Sequence, residues 1–501
     1  MDQNDLSTLQ ASKDANDLKH LGYAQELLRN MGGFSNFAIS FSIISILTGA
    51  IQLYGYGLQH GGPFVLTVGW WIVSFFTLAV ALSMAELASA YPTAGALYHW
   101  SAILGGRTLG WFTACFNTMG QFAILAGIDF GLALLLRGFL GLPENTAITT
   151  GLYAVLLFSH AVLNHLGIRI VARLNDFSAW YHVGVVFLLI GALVVKGFTQ
   201  PVSFLVTQNN TDGFSYPYSF LLGLLLAQWT LTGYDASAHV SEETIDPRRR
   251  APWGIFLAVA VSIVFGSAML SAITLSIPDL AQATAFGEGA FTEVLRLALG
   301  PALGNTIVGL VLIAMWLCGL SALTSASRMV YAFARDGGLP YSKSLASVSQ
   351  KHRTPAVAIW TLVAIALLLA LSVKAYSAVV SIATIALYIS YGLPIAAGLY
   401  AKLSKKNQVK GPWNLGRFST PVSFVALVWI CFITTVFVLP PNDQAGVVIG
   451  GLTLSLIAAW ALRVRSRFQG PKIALAAHFE EAAQTTAPTR VDSPELEPSS
   501  P

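Results

Sequence analysis

Charge is what this sequence has least of. Lys, Arg, Asp and Glu together make up 10% of its 501 residues, where a soluble domain carries about 25%. The formal net charge of +4 is too small for a nucleic-acid surface, and no basic patch interleaved with aromatics occurs. The three cysteines, Cys115, Cys318 and Cys431, fall in apolar runs with neither metal-ligand nor disulfide spacing, so they read as small core residues. A cleavable signal is missing from the polar N-terminus. The lack of a Walker motif or a soluble nucleotide-binding domain disfavours an ATP-driven pump. His99, His160, His165 and His239 are scattered, with no H-x-x-x-D or H-E-x-x-H spacing, which argues against a membrane acyltransferase or other enzyme. No cofactor and no metal are expected.

What is abundant is apolar length. Hydrophobic residues make up 55% of the chain, and its mean hydropathy is +0.64. A membrane-spanning helix needs about 20 mostly apolar residues. Twelve such segments follow, near 34–58, 63–89, 111–136, 147–167, 178–197, 216–240, 252–276, 303–333, 355–373, 376–401, 421–439 and 444–463. The fold class is therefore an all-α polytopic membrane protein. Lys and Arg, which stay in cytoplasmic loops, concentrate in the N-terminus, in the loops after spans two, four, six, eight and ten, and at the C-terminal side. The triplet Arg248, Arg249, Arg250 is one example. This alternation supports twelve spans in the cell membrane with both termini cytoplasmic. Residues 1–33 read as a cytoplasmic segment, and the Pro-, Ser- and Glu-rich tail 467–501 as disordered.

Two of these runs carry the same interruption. Leu-Thr-Gly occurs at 47–49 in span one and again at 231–233 in span six. Spans five apart cross in opposite directions, as inverted five-helix repeats require, with discontinuous helices in matching positions and the binding site between them. Glycine permits departures from the helix, and Thr can bond freed carbonyls. Close helix packing is the plainer use of Gly and Thr in a membrane, but it does not explain symmetric placement followed by Asp. The repeats would be 34–197 and 216–401, with 402–466 supplying two further helices. A major-facilitator carrier, built of parallel six-helix halves, would not place its breaks five spans apart.

Three stretches then resemble a family. SMAELASAYPTAGALYHW (83–100) resembles the E-x-x-x-x-x-P-x-x-G-x-x-Y signature of amino acid–polyamine–organocation permeases. WTLTGYDASAHVSEET (229–244) is similar to the sixth-helix signature of their amino acid/choline branch, which includes 4-aminobutyrate permeases, and ASRMVYAFARDGGLP (326–340) to their eighth-helix end. The resemblance implies a leucine-transporter-type core and alternating-access transport of amino acids or related amines. It also implies that Thr48, Gly49, Ala50 and Ile51 lie in an unwound stretch whose amides hold a substrate carboxylate. Thr232, Gly233 and Tyr234 would form the second break, and Trp229 an aromatic lid. His182 falls where some proton-coupled relatives carry a lysine, and Ser321, Thr324 and Ser325 where hydroxyls would serve a sodium site.

Beside that resemblance, the residues speak for themselves. A carboxylate at mid-membrane depth is costly and usually faces a cavity or titrates. Asp235 is therefore a candidate for binding a substrate cation or a coupling proton, or else an N-cap for the second half of span six. His182 has the side chain that exchanges protons near neutral pH, though a neighbouring carbonyl would also satisfy it. Asp129 in span three is equally deep, with no definite role. Glu86 and Glu243 at span ends are gate candidates, because alternating access needs ion pairs that form in one state and break in another. Partners are then a small amine-bearing solute, a coupling proton or cation, and the lipid bilayer. Choline or polyamine transport, amino acid exchange and a transporter-like nutrient sensor are the remaining alternatives.

Overall fold

The computed structural model describes residues 3–372, 376–405 and 409–472. Among them, strand-type pairing is limited to an isolated bridge between Met31 and Thr244. A lipid-embedded backbone must satisfy its polar groups within its own segment, which selects helix for every apolar run. Among the described residues, ten helices are long and apolar enough to cross a membrane. The sixth apolar run is not one of these ten because it is in pieces, Tyr216–Gly223, Leu225–Thr230 and Ala236–His239. The ninth is Ala356–Ser372, with a shorter apolar core. All twelve expected segments are thus helical.

Boundaries differ where glycine turns the chain. The end of span one and span two run together as Tyr54–Ala90, bent at Gly62 (φ 65°). Span three begins far earlier than hydropathy suggests, in a helix Leu97–Phe139 bent at Gly106 (φ 86°). Large apolar side chains such as Phe158, Trp180, Phe187 and Val195 point outward, as a lipid-facing surface does. Inside, the helix Tyr376–Leu403 packs on Leu97–Phe139, and Pro247–Leu275 packs on spans one and two.

Both ends of the described chain dock on one end of the bundle, here named the terminal end. The N-terminal segment holds a helix, Gln3–His20, and buries Leu18, Tyr23 and Leu27. The first residues of the tail expected to be disordered from Arg467 are packed instead: Phe468 is 2% exposed, packs near Tyr98 and Phe333, and accepts a hydrogen bond at its carbonyl from Arg107. Residues 473–501 of that expected tail lie outside the described residues.

Candidate functional site

Both Leu-Thr-Gly sites are breaks in helices. Span one is helical over Gly33–Ile44, leaves the helix at Ser45 (φ 19°, ψ 86°), and resumes with the short turn Gly49–Gln52. Span six stops after Thr230 and restarts at Ala236, with Gly233 at φ 99°. A Cβ on Gly233 would sit 2.3 Å from the Ile43 side chain, and one on Gly49 would sit 2.7 Å from the Thr230 backbone. The two breaks therefore lie against each other, and each needs a glycine for room.

The unpaired backbone falls only partly on the residues that the motif points to. The N–H groups of Thr48 and Gly49 both donate to the Ser45 carbonyl, and Gly49, Ala50 and Ile51 belong to the helical turn rather than to an unwound stretch. Among the described residues, the amides at this break without a backbone partner are those of Ile46, Leu47, Ala50 and Ile51. At the other break, Thr232, Gly233, Tyr234 and Asp235 have N–H groups without backbone partners. The threonines bond back within their own segment, as expected of Thr near freed carbonyls. Thr230 donates to the Leu226 carbonyl (2.6 Å) and Thr232 to that of Gln228 (2.5 Å).

The first half of span one is tied to the second half of span six. Ser40 Oγ donates to the Tyr234 carbonyl (3.0 Å) and accepts from the Ser237 N–H (2.9 Å), while Asn36 and Ser237 exchange side-chain-to-backbone bonds. Trp229 is buried and lies over Gly127 of span three. Beyond the break in span one, a cavity of about 300 Å³ is lined by Ile51, Gln52, Gly131, Glu288, Phe291 and Tyr376. It lies away from the terminal end.

Asp235 occupies the N-cap position of Ala236–His239, but its side chain does not cap that turn. Its carboxylate is fully buried and accepts instead from Asn117 (3.3 Å) and Gln121 (3.1 Å) on span three and Tyr391 (2.9 Å) on span ten, and lies 3.2 Å from His239 Nε2 in its own span. Capping is thus replaced by a polar network across three spans. His182 is buried between the Ser178 carbonyl (2.8 Å from Nδ1) and the Ser45 hydroxyl (2.7 Å from Nε2), beside the break in span one. Ser321 and Thr324 bond Asn175 and Asn164 of the neighbouring spans (2.5 and 2.8 Å), and Ser325 Oγ is buried with no hydrogen-bond partner.

Asp129 has a definite neighbour. Its Oδ2 lies 3.0 Å from His160 Nδ1, and both side chains are buried. The pair occupies space that only a glycine leaves free, since a Cβ on Gly319 would fall 2.0 Å from Asp129 Oδ1. Gly319→Ala is therefore expected to lower stability by about 1–3 kcal/mol through overpacking, read as a drop in the thermal midpoint of detergent-purified protein. Gly191→Ala, with nothing within 4 Å of its Cβ, should leave the midpoint level or raise it slightly.

At the terminal end the expected gate carboxylates are paired. Glu243 meets Arg328 in a two-pronged bridge (2.8 and 2.9 Å) with both groups buried, and Glu86 meets Lys402 (2.8 Å). Glu242 bridges Arg335 (2.7 Å) and also accepts the Ala94 N–H (3.1 Å). Burial opposes ionisation of Glu242, but the Arg335 guanidinium outweighs it and holds the carboxyl below its ordinary value. Tyr23 of the N-terminal segment donates to Asp336 (2.9 Å), which also lies 3.1 Å from His99. Burial first, and then the Asp336 charge, keeps the Tyr23 hydroxyl protonated well past its ordinary range. These bridges all lie at the terminal end.

Sequence reasoning did not single out Asn117, Gln121, Tyr391, Arg328 or Asp336, which are distant in the chain from the carboxylates they meet or neutral in themselves. His239 carried a usable signal, because the spacing D-x-x-x-H at 235–239 stacks the two side chains one helical turn apart.

Comparison with known proteins bears on this arrangement. The amino acid permease family model matches residues 31–462. An amino-acid permease BAT1 homolog of Oryza sativa subsp. japonica is 40% identical over 494 aligned residues, covering 91% of this chain and 94% of the rice protein. Amino-acid permease BAT1 of Arabidopsis thaliana is 39% identical over 91% of this chain and 95% of its own length. The GABA-specific permease of Saccharomyces cerevisiae is 29% identical, covering 88% and 82% respectively.

Proposed function

The chain belongs to the amino acid permease family, and we propose that it moves amino acids or related amines such as 4-aminobutyrate by alternating access coupled to protons. It is a multi-pass membrane transporter of amino acids and not an enzyme. The observation that carries the mechanistic reading is the pair of facing breaks. The free amides of Ile46, Leu47, Ala50 and Ile51 are natural ligands for a substrate carboxylate, the last two at the positive end of the turn Gly49–Gln52. Carbonyls at 230–232 on the opposite break are placed to accept from the amine, with Trp229 and Tyr234 enclosing the apolar part of the solute.

In this reading the two halves 34–197 and 216–401 are inverted repeats, and the terminal end faces the cytoplasm, as the Lys and Arg distribution requires. The closed bridges there, together with the cavity on the other side, correspond to a state shut toward the cytoplasm. Proton coupling has two candidate carriers, His182 beside the first break and Asp235 beside the second. Ser321, Thr324 and Ser325 are the counterpart candidates for a coupling cation. Glu86, Trp229 and Glu243 serve as gates.

The test is uptake by proteoliposomes of labelled 4-aminobutyrate, a panel of amino acids and choline under an imposed pH gradient. An amino acid should accumulate in the wild type, and Asp235→Asn should lose most of that uptake. Accumulation of choline alone would overturn the substrate assignment, because choline has no carboxylate for the amides at Ile46 and Leu47. Drive by a sodium gradient alone would overturn the coupling.

A further inference from the structure

We propose that the coupling proton is held by the Asp235–His239 pair rather than by His182, and that while bound it latches the terminal end shut. The proposal rests on the permease reading above. Hydrogen-bond accounting carries it. His239 Nδ1 lies 3.0 Å from the Ala94 carbonyl, and Nε2 lies 3.2 Å from Asp235 Oδ2, with all three residues buried. A carbonyl can only accept, and so can an ionised carboxylate, while a neutral imidazole has a single N–H. Neutral His239 beside ionised Asp235 therefore leaves one contact with two acceptors face to face and no hydrogen between them. Away from solvent, such an unmade bond is costly. One further proton, on the ring or on the carboxyl, satisfies both contacts at once.

His182 needs no such proton. Its Nδ1 faces the Ser178 carbonyl and its Nε2 faces a hydroxyl, Ser45 Oγ, which is able to donate. The neutral ring with hydrogen on Nδ1 meets both neighbours. The remaining partners of Asp235 are uncharged: Asn117 and Gln121 from span three and Tyr391 from span ten, with Tyr234 from its own segment close by. Among the described residues, the ionisable base in contact with Asp235 is His239.

The same contact reaches the gate. Ala94, in the loop between spans two and three, is gripped on both sides by the segment that follows the second break. His239 holds its carbonyl, and Glu242 accepts from its N–H at 3.1 Å. When the pair loses its proton, His239 can donate to Asp235 or to Ala94 but not to both, so the grip on the loop weakens. In balance, a proton from water on the cavity side joins the pair, and the same proton leaves to water on the terminal side once that end opens. The ring then keeps one N–H and Asp235 returns to carboxylate.

Two measurements test this. Proteoliposomes loaded with a pH-sensitive dye receive labelled 4-aminobutyrate, alanine, glutamate and arginine with the outside more acid by about one pH unit. A single coupled proton supports about tenfold accumulation under that gradient. Wild type should accumulate a labelled amino acid and acidify the lumen in proportion. His239→Gln should lose both the accumulation and the acidification per amino acid delivered, whereas His182→Gln should keep its proton-to-substrate ratio at whatever rate it runs. The reverse pattern overturns the proposal. Amino acid movement in the wild type without lumen acidification overturns it together with the proton coupling, yet leaves amino acid transport standing; no movement of any amino acid sinks the transport reading instead.

The second measurement does not depend on transport. Nitrogen NMR of histidine-labelled protein, with carboxyl-carbon NMR of labelled Asp, should find one extra proton on the His239–Asp235 pair at neutral pH and a singly protonated His182. A neutral His239 beside an ionised Asp235 would end the proposal.

Discussion

Replacing Gly233 by alanine is expected to reduce amino acid uptake by roughly a hundredfold, the effect of an ångström-scale misplacement of binding groups. Two costs combine. At φ 99° an L residue is strained, by about 1–2 kcal/mol for a left-handed backbone. The new methyl group would also lie 2.3 Å from Ile43 Cγ2, so the first half of span one must move away from the second break. That movement separates Ser40 from the Tyr234 carbonyl and shifts the free amides of Ile46 and Leu47. Initial uptake rates at matched protein, with size-exclusion profiles to check folding, provide the measurement. Gly233→Ala with Ile43→Ala relieves the contact but not the strain and should recover part of the loss. Wild-type uptake by Gly233→Ala would mean that the break is not part of the transport machinery.

Glu243→Ala is expected to be the most damaging change at the terminal end. It leaves Arg328, fully buried, without its carboxylate, and stranding one member of a buried pair costs about 3–5 kcal/mol. Because the bridge joins the segment after the second break to span eight, part of that loss should appear as opening of the terminal end. The expected results are a lowered thermal midpoint and labelling, from that side, of a cysteine introduced at Ser327 in a background lacking exposed Cys431. Arg328→Met should be similarly harmful, and the Glu243→Gln, Arg328→Met double variant milder than the sum of its singles, since neither charge is left alone. Additive single effects would show that the bridge is not an energetic unit.

Much of the architecture was legible in advance because it follows from one-dimensional quantities. Apolar run length set the twelve segments, and Leu-Thr-Gly repeated five spans apart marked both breaks, since close helix packing alone gives no reason for the same tripeptide in symmetric positions. The carboxylates Asp235, Glu86 and Glu243 stood out for the same reason: a charge in lipid or at its edge must find a partner. Only the tertiary structure decided which partner. Asp235 takes Asn117, Gln121 and Tyr391 from spans far away in the chain, and Glu243 takes Arg328. Which amides stay free depended on Ser45, whose carbonyl captures the N–H groups of Thr48 and Gly49 and leaves those of Ile46, Leu47, Ala50 and Ile51. Burial of Phe468 was hidden because a single aromatic in a polar stretch docks only if a surface such as Tyr98 and Phe333 is already assembled. Hydropathy and spacing are properties of a segment by itself; hydrogen-bond partners and ion pairs are properties of the assembled bundle.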